Sequence, residues 1–258
     1  MNLLIDIGNT SAKLAIMDGD KFLHIEHKAE PWQPLFRRLS DQYPISSCAI
    51  SSVAGEDTEL IRALQEWDIP TLLLGINAPA DGKTTSKIAN YQLSNCQIKN
   101  VPTGYGADRL AADLGAISQS AGRTLLVIDA GTCITYDLIS RNGEILGGAI
   151  SPGIQLRLRS MHEHTALLPL FQAEADTPLI GHDTKTSMMS SAIHGTSFEV
   201  EGYIRHLLTL YPDLQVYLTG GNTLQLSADF PPHVTHDPHL LFRGLQSMLR
   251  NEGDRDKT

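Results

Sequence analysis

Two short segments carry the same chemically active residue types in the same order. Asp6-Ile7-Gly8-Asn9-Thr10-Ser11-Ala12-Lys13 and Asp129-Ala130-Gly131-Thr132 each end an apolar run with an aspartate, follow it two residues later with a glycine, and then supply a hydroxyl. Gly8 can adopt backbone angles closed to other residues and lets a ligand approach the main chain. Successive N–H groups in such a turn can converge on an anion and cradle a phosphate. Thr10 and Ser11 add hydroxyl donors and Lys13 a positive charge. Asp6 repels phosphate, so its chemistry is that of a cation holder; magnesium takes one or two carboxylates together with phosphate oxygens. A single turn of this kind is also good hairpin chemistry with no ligand. A second copy in an equivalent context favours function, because two such hairpins could clamp a polyphosphate from both sides. Gly220-Gly221, after a third apolar run, would add a flat backbone surface for a nucleoside.

Other polar constellations carry less. Asp108, in Gly106-Ala107-Asp108-Arg109, stands where a helical pattern begins and reads as its N-cap. The same helix start suits an anionic ligand. His233, His236 and His239 are three apart, but Pro231, Pro232 and Pro238 break the helix that would align them, and neither cysteine nor clustered carboxylate accompanies them. Zinc is a poor fit to such a set. His162-Glu163-His164 reads as a solvated helix end, and Met188-Met189 as core.

The elements that must position these residues alternate between strand and helix. Leu14 to Met17 and Lys21 to Ile25 read as a second and a third strand after the first, and Cys48 to Val53 and Thr71 to Leu74 are short buried strands. Trp32, Leu35, Phe36 and Leu39 have helical spacing, as do Leu60, Ile61, Leu64 and Trp67. Residues 77–100 are polar and read as a long surface excursion. A helix over 108–121 presents Leu110, Leu114 and Ile117, with Gly122 as its stop. The second half repeats the pattern: strands at 126–128, 134–138, 144–150 and 216–218, and helices from 151, over 187–210 and over 238–249. Two α/β domains are expected, 1–118 and 119–250, with 251–258 as a disordered tail.

Bulk properties narrow the class. With 258 residues the chain is long enough for two compact halves. Hydrophobic residues are 41% and charged residues 19%, a globular balance. A net charge of −9 disfavours nucleic acid or an anionic membrane as partner. Cys48, Cys96 and Cys133 form no disulfide framework or zinc spacing and read as free thiols. No apolar run approaches the ~20 residues needed to cross a bilayer, and Asp6 interrupts any signal-like start. A cytoplasmic protein is expected.

In order, Asp6 to Lys13, Gly106 to Arg109, Asp129 to Thr132, Gly147-Gly148-Ala149-Ile150-Ser151-Pro152-Gly153 and Gly220-Gly221-Asn222 resemble type III pantothenate kinase, a branch of the acetate/sugar kinase, Hsp70 and actin superfamily. The resemblance spans Met1 to about Leu249. It implies two duplicated ribonuclease-H-like domains with the active site in the cleft between them. It implies transfer of the ATP γ-phosphate to the primary hydroxyl of pantothenate, the first step towards coenzyme A, by a homodimer that needs magnesium and potassium or ammonium. By resemblance Asp6, Ile7, Gly8, Asn9, Thr10, Ser11, Ala12, Lys13, Thr132, Gly220 and Gly221 bind ATP, with Asp6 also placed to hold magnesium. Gly106, Ala107, Asp108 and Arg109 bind pantothenate, with Asp108 as proton acceptor. Asp129 holds the monovalent cation, with magnesium or a plain hairpin aspartate as alternatives. Thr184 faces pantothenate, with Thr186 as the alternative register. The family's substrate-contacting tyrosine has no counterpart: its position is Lys99, and Tyr91 and Tyr105 lie outside that register. Another small-molecule kinase or ATPase of the superfamily, or a non-enzymatic regulator keeping the fold, is the alternative reading. Met188 to Leu210 is a candidate interface helix or an ordinary core helix.

Overall fold

The computed structural model describes residues 1–8, 11–54, 57–74, 84–87, 92–93, 96–174, 176–222, 226 and 233–255. It divides into two compact units. Unit one is Met1–Ala121 with Asn142–Ile145 and His239–Thr258; unit two is Gly122–Arg141 with Leu146–Pro238.

In unit one, β1 (Asn2–Ile7), β2 (Ala12–Asp18) and β3 (Lys21–His27) form an antiparallel meander. On the other side of β1 lie β4 (Ser47–Ser52), β5 (Thr71–Leu74) and β6 (Thr84–Lys87), each parallel to its neighbour, giving the order β3-β2-β1-β4-β5-β6. Alternation sends Leu3, Ile5 and Ile7 of β1, Leu14 and Ile16 of β2, and Cys48 and Ile50 of β4 into one core. Helix α1 (Trp32–Gln42) brings Trp32, Leu35, Phe36 and Leu39 to that core, and α2 (Thr58–Glu66) brings Leu60, Ala63 and Leu64. Asp57 joins the two helices: it caps α2 by accepting from the Leu60 N–H at 2.9 Å and accepts from Trp32 Nε1 at 2.7 Å. A small hairpin, β7 (Gln92–Leu93) with β8 (Cys96–Gln97), precedes α3 (Ala107–Gln119).

Unit two repeats the plan. Its strands β9 (Leu125–Ala130), β10 (Cys133–Ile139), β11 (Ile145–Pro152), β12 (Gln215–Thr219) and β13 (Val234–His236) are ordered β11-β10-β9-β12-β13, the order of the first five strands of unit one. Helices α4 (Ile154–Glu163) and α5 (Thr184–Leu210) cover it, burying Ile154, Leu158, Met188, Ala192, Ile193, Val200 and Ile204 against Leu126, Ile128, Ile134, Val216 and Leu218. The last helix, α6 (Leu240–Arg255), returns to unit one and packs on α3, β1 and β4. That contact is backbone against backbone. A Cβ on Gly244 would lie 1.8 Å from the Ala111 carbonyl oxygen, and one on Gly115 would lie 2.1 Å from that of Leu240. Only glycine permits such approach.

Three expectations from the sequence shift. Within the polar stretch 77–100, Thr84–Lys87 forms β6 and extends the sheet, because pairing rests on backbone hydrogen bonds that no hydrophobic pattern announces. Helix α5 starts at Thr184, three residues before the apolar periodicity, because a capping box at Asp183 and Thr186 nucleates it. Helix α6 runs to Arg255, past the Leu249 stop; its hydrogen bonding outlasts its apolar pattern.

Candidate active site

The corner of unit one is built by the β1–β2 turn. Gly8 donates its N–H to the Ser11 carbonyl at 3.0 Å, closing the turn; Asn9 and Thr10 lie outside the described residues. Strand register sets Asp6 opposite Lys13 on β2 and Ser51 on β4, so the three side chains share one face of the sheet. Ile7 turns the other way, into the core, with Ala12 packed partly against it. Gly8 does not use left-handed angles, contrary to the sequence expectation, and a Cβ there would make only ordinary contact, 3.5 Å from Ser11 O.

Asp108 is not the N-cap of α3. Gly106 holds that position without any side-chain cap, and Asp108 sits in the first turn, where its Oδ1 accepts the Arg109 N–H at 2.8 Å. The carboxylate thus satisfies one otherwise orphaned helix N–H and lies at the positive end of the helix dipole. The Arg109 guanidinium lies 4.2 Å from the centre of the Tyr105 ring, and the Tyr105 hydroxyl donates to the buried Asp113 carboxylate at 2.7 Å. Gly104, at φ +75°, turns the chain into this staple. Ala107 is buried beneath it.

The corner of unit two is closed more tightly. Asp129 lies opposite Thr135 on β10 and Thr219 on β12. Gly131 donates to Cys133 O at 3.0 Å, leaving Thr132 exposed at the tip. Gly153, the N-cap of α4, donates its N–H to Thr132 O at 3.0 Å, and a Cβ there would lie 2.3 Å from Gly131 O. Gly220, at φ +98°, comes so near that a Cβ would fall 2.5 Å from Asp129 Oδ1. Asn222 clamps the turn from the same loop: its N–H reaches Ala130 O at 2.9 Å and its Nδ2 reaches Gly131 O at 2.7 Å. Gly221 has nothing within 4 Å of the position a Cβ would take. The structure therefore brings Asp129, Thr132 and Gly220 together and adds Gly153 and Asn222, whose roles the sequence reading missed. Their signals were a glycine before a helical pattern and an asparagine after a Gly-Gly pair.

Further along unit two, Thr186 donates its hydroxyl to Asp183 Oδ1 at 2.7 Å and accepts from the His182 and Asp183 N–H groups at 3.0 and 3.2 Å. The Thr186 N–H and hydroxyl together hold the Asp183 carboxyl below its ordinary range. Thr186 is thus committed to capping α5. Thr184 is exposed in the first turn, and no hydrogen bond within the described chain engages its hydroxyl.

A second constellation missed in the sequence centres on Glu199 of α5. Tyr136 of β10 donates to it at 2.9 Å, Ser151 of β11 at 2.5 Å, and Arg157 of α4 pairs with its other oxygen. Tyr203 stacks on Tyr136 with ring centres 4.3 Å apart. Burial alone would raise the Glu199 carboxyl; the hydrogen bonds from Ser151, Arg157 and Tyr136 outweigh it and hold the group below its ordinary value. Burial first, and then the Glu199 carboxylate, push the Tyr136 hydroxyl up. This cluster ties two strands to two helices and so fixes where Gly153 meets the Asp129 turn. Among the described residues no group of three or more His, Cys, Asp or Glu side chains could hold a metal by itself; His236 lies in β13 and the ring centre of His239 lies 5.0 Å from that of Phe22.

Two sheets of like strand order, each with an aspartate at the end of its first strand, define the duplicated ribonuclease-H-like fold of actin-like ATPases and sugar kinases. Solved structures share it. One described as a Baf family transcriptional activator from Campylobacter jejuni superposes with a TM-score of 0.56 at 21% identity, covering 98% of this chain and 99% of that one. One described as a 2-dehydro-3-deoxygalactonokinase from Sinorhizobium meliloti gives 0.58 at 13% identity, with the same coverage.

Within that fold the chain belongs to the type III pantothenate kinase family, whose profile matches residues 2–206. Curated type III pantothenate kinases resemble it over nearly their full length. That of Bacteroides fragilis strain YCH46 is 32% identical over 255 residues, covering 99% of this chain and 100% of the relative. That of Phocaeicola vulgatus is 33% identical over 249 residues, covering 96% and 98%.

Proposed function

We propose that this chain transfers the γ-phosphate of ATP to the primary hydroxyl of pantothenate, giving 4'-phosphopantothenate. The observation that carries this reading is the recurrence of one aspartate-bearing strand turn at the same place in two sheets of the same order.

In unit one, the segment Asp6 to Lys13 binds ATP phosphates, with Lys13 supplying a charge beside Asp6. The donor set fits magnesium, since a carboxylate and a hydroxyl share one sheet face and the ion keeps several waters. Asp6 would hold it, and the bound ion supplies neutralisation of charge on the transferring group. Phosphoryl transfer otherwise depends on alignment. Asp108 orients the pantothenate hydroxyl and accepts its proton; Arg109, propped on Tyr105, pairs with the substrate carboxylate. Gly106 and Ala107 form the backbone floor of that segment, and Thr184, with its hydroxyl uncommitted, contacts pantothenate in preference to Thr186. In unit two, Asp129 suits a monovalent cation by its oxygen donors, and Thr132, Gly220 and Gly221 contact the nucleotide.

Two copies associate through unit two in this reading, supported by the exposed apolar side chains of Phe198, Tyr203 and Leu210 on α5 and of Leu146 and Ile150 on β11. Free cysteines at Cys48 and Cys133 support a reducing, cytoplasmic setting. Among the described residues no helix is long and apolar enough to cross a membrane.

A coupled assay for ADP, with and without pantothenate and with potassium replaced by sodium, tests the reading. ADP release that depends on both pantothenate and potassium is expected. Release indifferent to pantothenate would overturn the acceptor, and indifference to the monovalent ion would overturn the role of Asp129.

A further inference from the structure

Ser51 occupies an unusual position. Its side chain is fully buried and its Oγ has no hydrogen-bond partner among the described residues. Buried hydroxyls are normally paired, and an unpaired one in a native structure calls for a missing partner. Strand register says which side that partner occupies. Across the sheet the row through Ser51 reads His27, Lys13, Asp6, Ser51, Leu74, Lys87. Leu74 is buried and apolar, so within the sheet the polar flank of Ser51 is Asp6. The Val53 N–H bonds to Ile7 O at 3.0 Å just beyond, so the end of β4 is fastened to the end of β1 and the two side chains are held in step. Unit two repeats the arrangement, with Thr219 of β12 in step with Asp129 of β9.

We propose that Ser51 is a positioning residue of the metal–phosphate corner: its hydroxyl hydrogen-bonds a water in the shell of the divalent cation that Asp6 holds. This rests on the reading of Asp6 as a cation holder. The neighbouring Ser52 provides a control. It is also buried and, among the described residues, without a partner, but it stands in register with Ile7 and shares the face of Ile50 that packs on α1 and α2. An unpaired hydroxyl there has no charged neighbour in its row to serve.

The experiment is calorimetric titration of a non-hydrolysable ATP analogue into the full chain, with and without magnesium, for wild type, Asp6→Asn, Ser51→Ala, Ser51→Cys and Ser52→Ala. The readout is the gain in nucleotide affinity on adding magnesium. Outer-shell partners of metal ligands are typically worth 10–100-fold in metal affinity, so Ser51→Ala is expected to reduce that gain about tenfold while leaving metal-free nucleotide affinity within about twofold. Ser51→Cys, close in size but a weak donor, is expected to show the same loss and stands in for Ser51→Ala should that variant not fold. Ser52→Ala is expected to keep the wild-type gain. A wild-type gain in either Ser51 variant, or an equal fall of affinity with and without magnesium, overturns the proposal. If Asp6→Asn itself keeps the gain, the cation reading of Asp6 is what fails and the Ser51 proposal falls with it; if Asp6→Asn loses the gain and Ser51→Ala does not, only the Ser51 proposal fails.

Discussion

The two corners share a plan and differ in how they are finished. In unit one four residues, 8–11, separate the paired Ile7 and Ala12 of β1 and β2; in unit two three residues, 131–133, separate the paired Ala130 and Ile134 of β9 and β10. Opposite Asp6 stands Lys13, and opposite Asp129 stands Thr135. A Cβ on Gly8 would make ordinary contact, 3.5 Å from Ser11 O, whereas Gly153, Gly220 and Asn222 pack tightly on the second turn. The longer turn carries a lysine that could meet a polyanion beside its aspartate. The shorter, clamped turn carries a carboxylate with no basic residue opposite it, which would suit a cation held by fixed oxygens. The two turns thus differ by one residue in length, by the side chain opposite the aspartate and by the hydrogen bond from Asn222.

The comparison can be broken most severely at a helix start. Helix α3 carries Asp108 at its second residue, where α4, also begun on an uncapped glycine, carries Gln155. Asp108→Asn is expected to leave the melting temperature unchanged and to lower kcat by about 10²–10⁴, the usual worth of a general base; wild-type turnover in that variant would end its role as proton acceptor. Next come the glycines. Gly220→Ala adds an atom against Asp129 in a left-handed backbone, and a loss of about 2–4 kcal/mol in denaturant unfolding is expected. Gly8→Ala, with room for its methyl, is expected to cost stability under about 1 kcal/mol while raising the KM for ATP. Equal losses at the two glycines would erase the distinction between clamped and open turns. Asn222→Ala removes a side-chain hydrogen bond to Gly131 O, and a loss of about 1 kcal/mol is expected, with potassium activation shifted to higher concentration.

The smallest effect concerns pH. The Glu199 carboxyl is depressed below its ordinary 4.5, so the stability it contributes is present above that value and is lost as pH falls through the lower folded value. Glu199→Gln is expected to lower the melting temperature at neutral pH and to flatten its decline below pH 4.5 relative to wild type. Parallel acid limbs in the two proteins would show that the cluster is not what titrates.

What could be read from the sequence follows from locality. The hairpins, the helices with apolar spacing and the paired aspartates depend on residues close in the chain, and Met188 and Met189 are core as their pattern implied. The clamp on the Asp129 turn joins Asn222 to Gly131 across 91 positions, and no local pattern announces it. Glu199 looks like any helix glutamate until three donors arrive from β10, β11 and α4. Asp108 shows the limit at element ends: reading it as the cap missed by two residues, because Gly106 leaves no side-chain signature of its own.

The return of α6 to unit one has a consequence for biosynthesis. During translation the sheet that opens at Asn2 lacks one of its covering helices until residues beyond Leu240 leave the ribosome. The first unit to begin forming is therefore completed only after the second has been synthesised. A stop codon shortly before Leu240 should leave unit two's strands intact while exposing the glycine-notched side of α3, directing the nascent product to chaperones through its amino-terminal half.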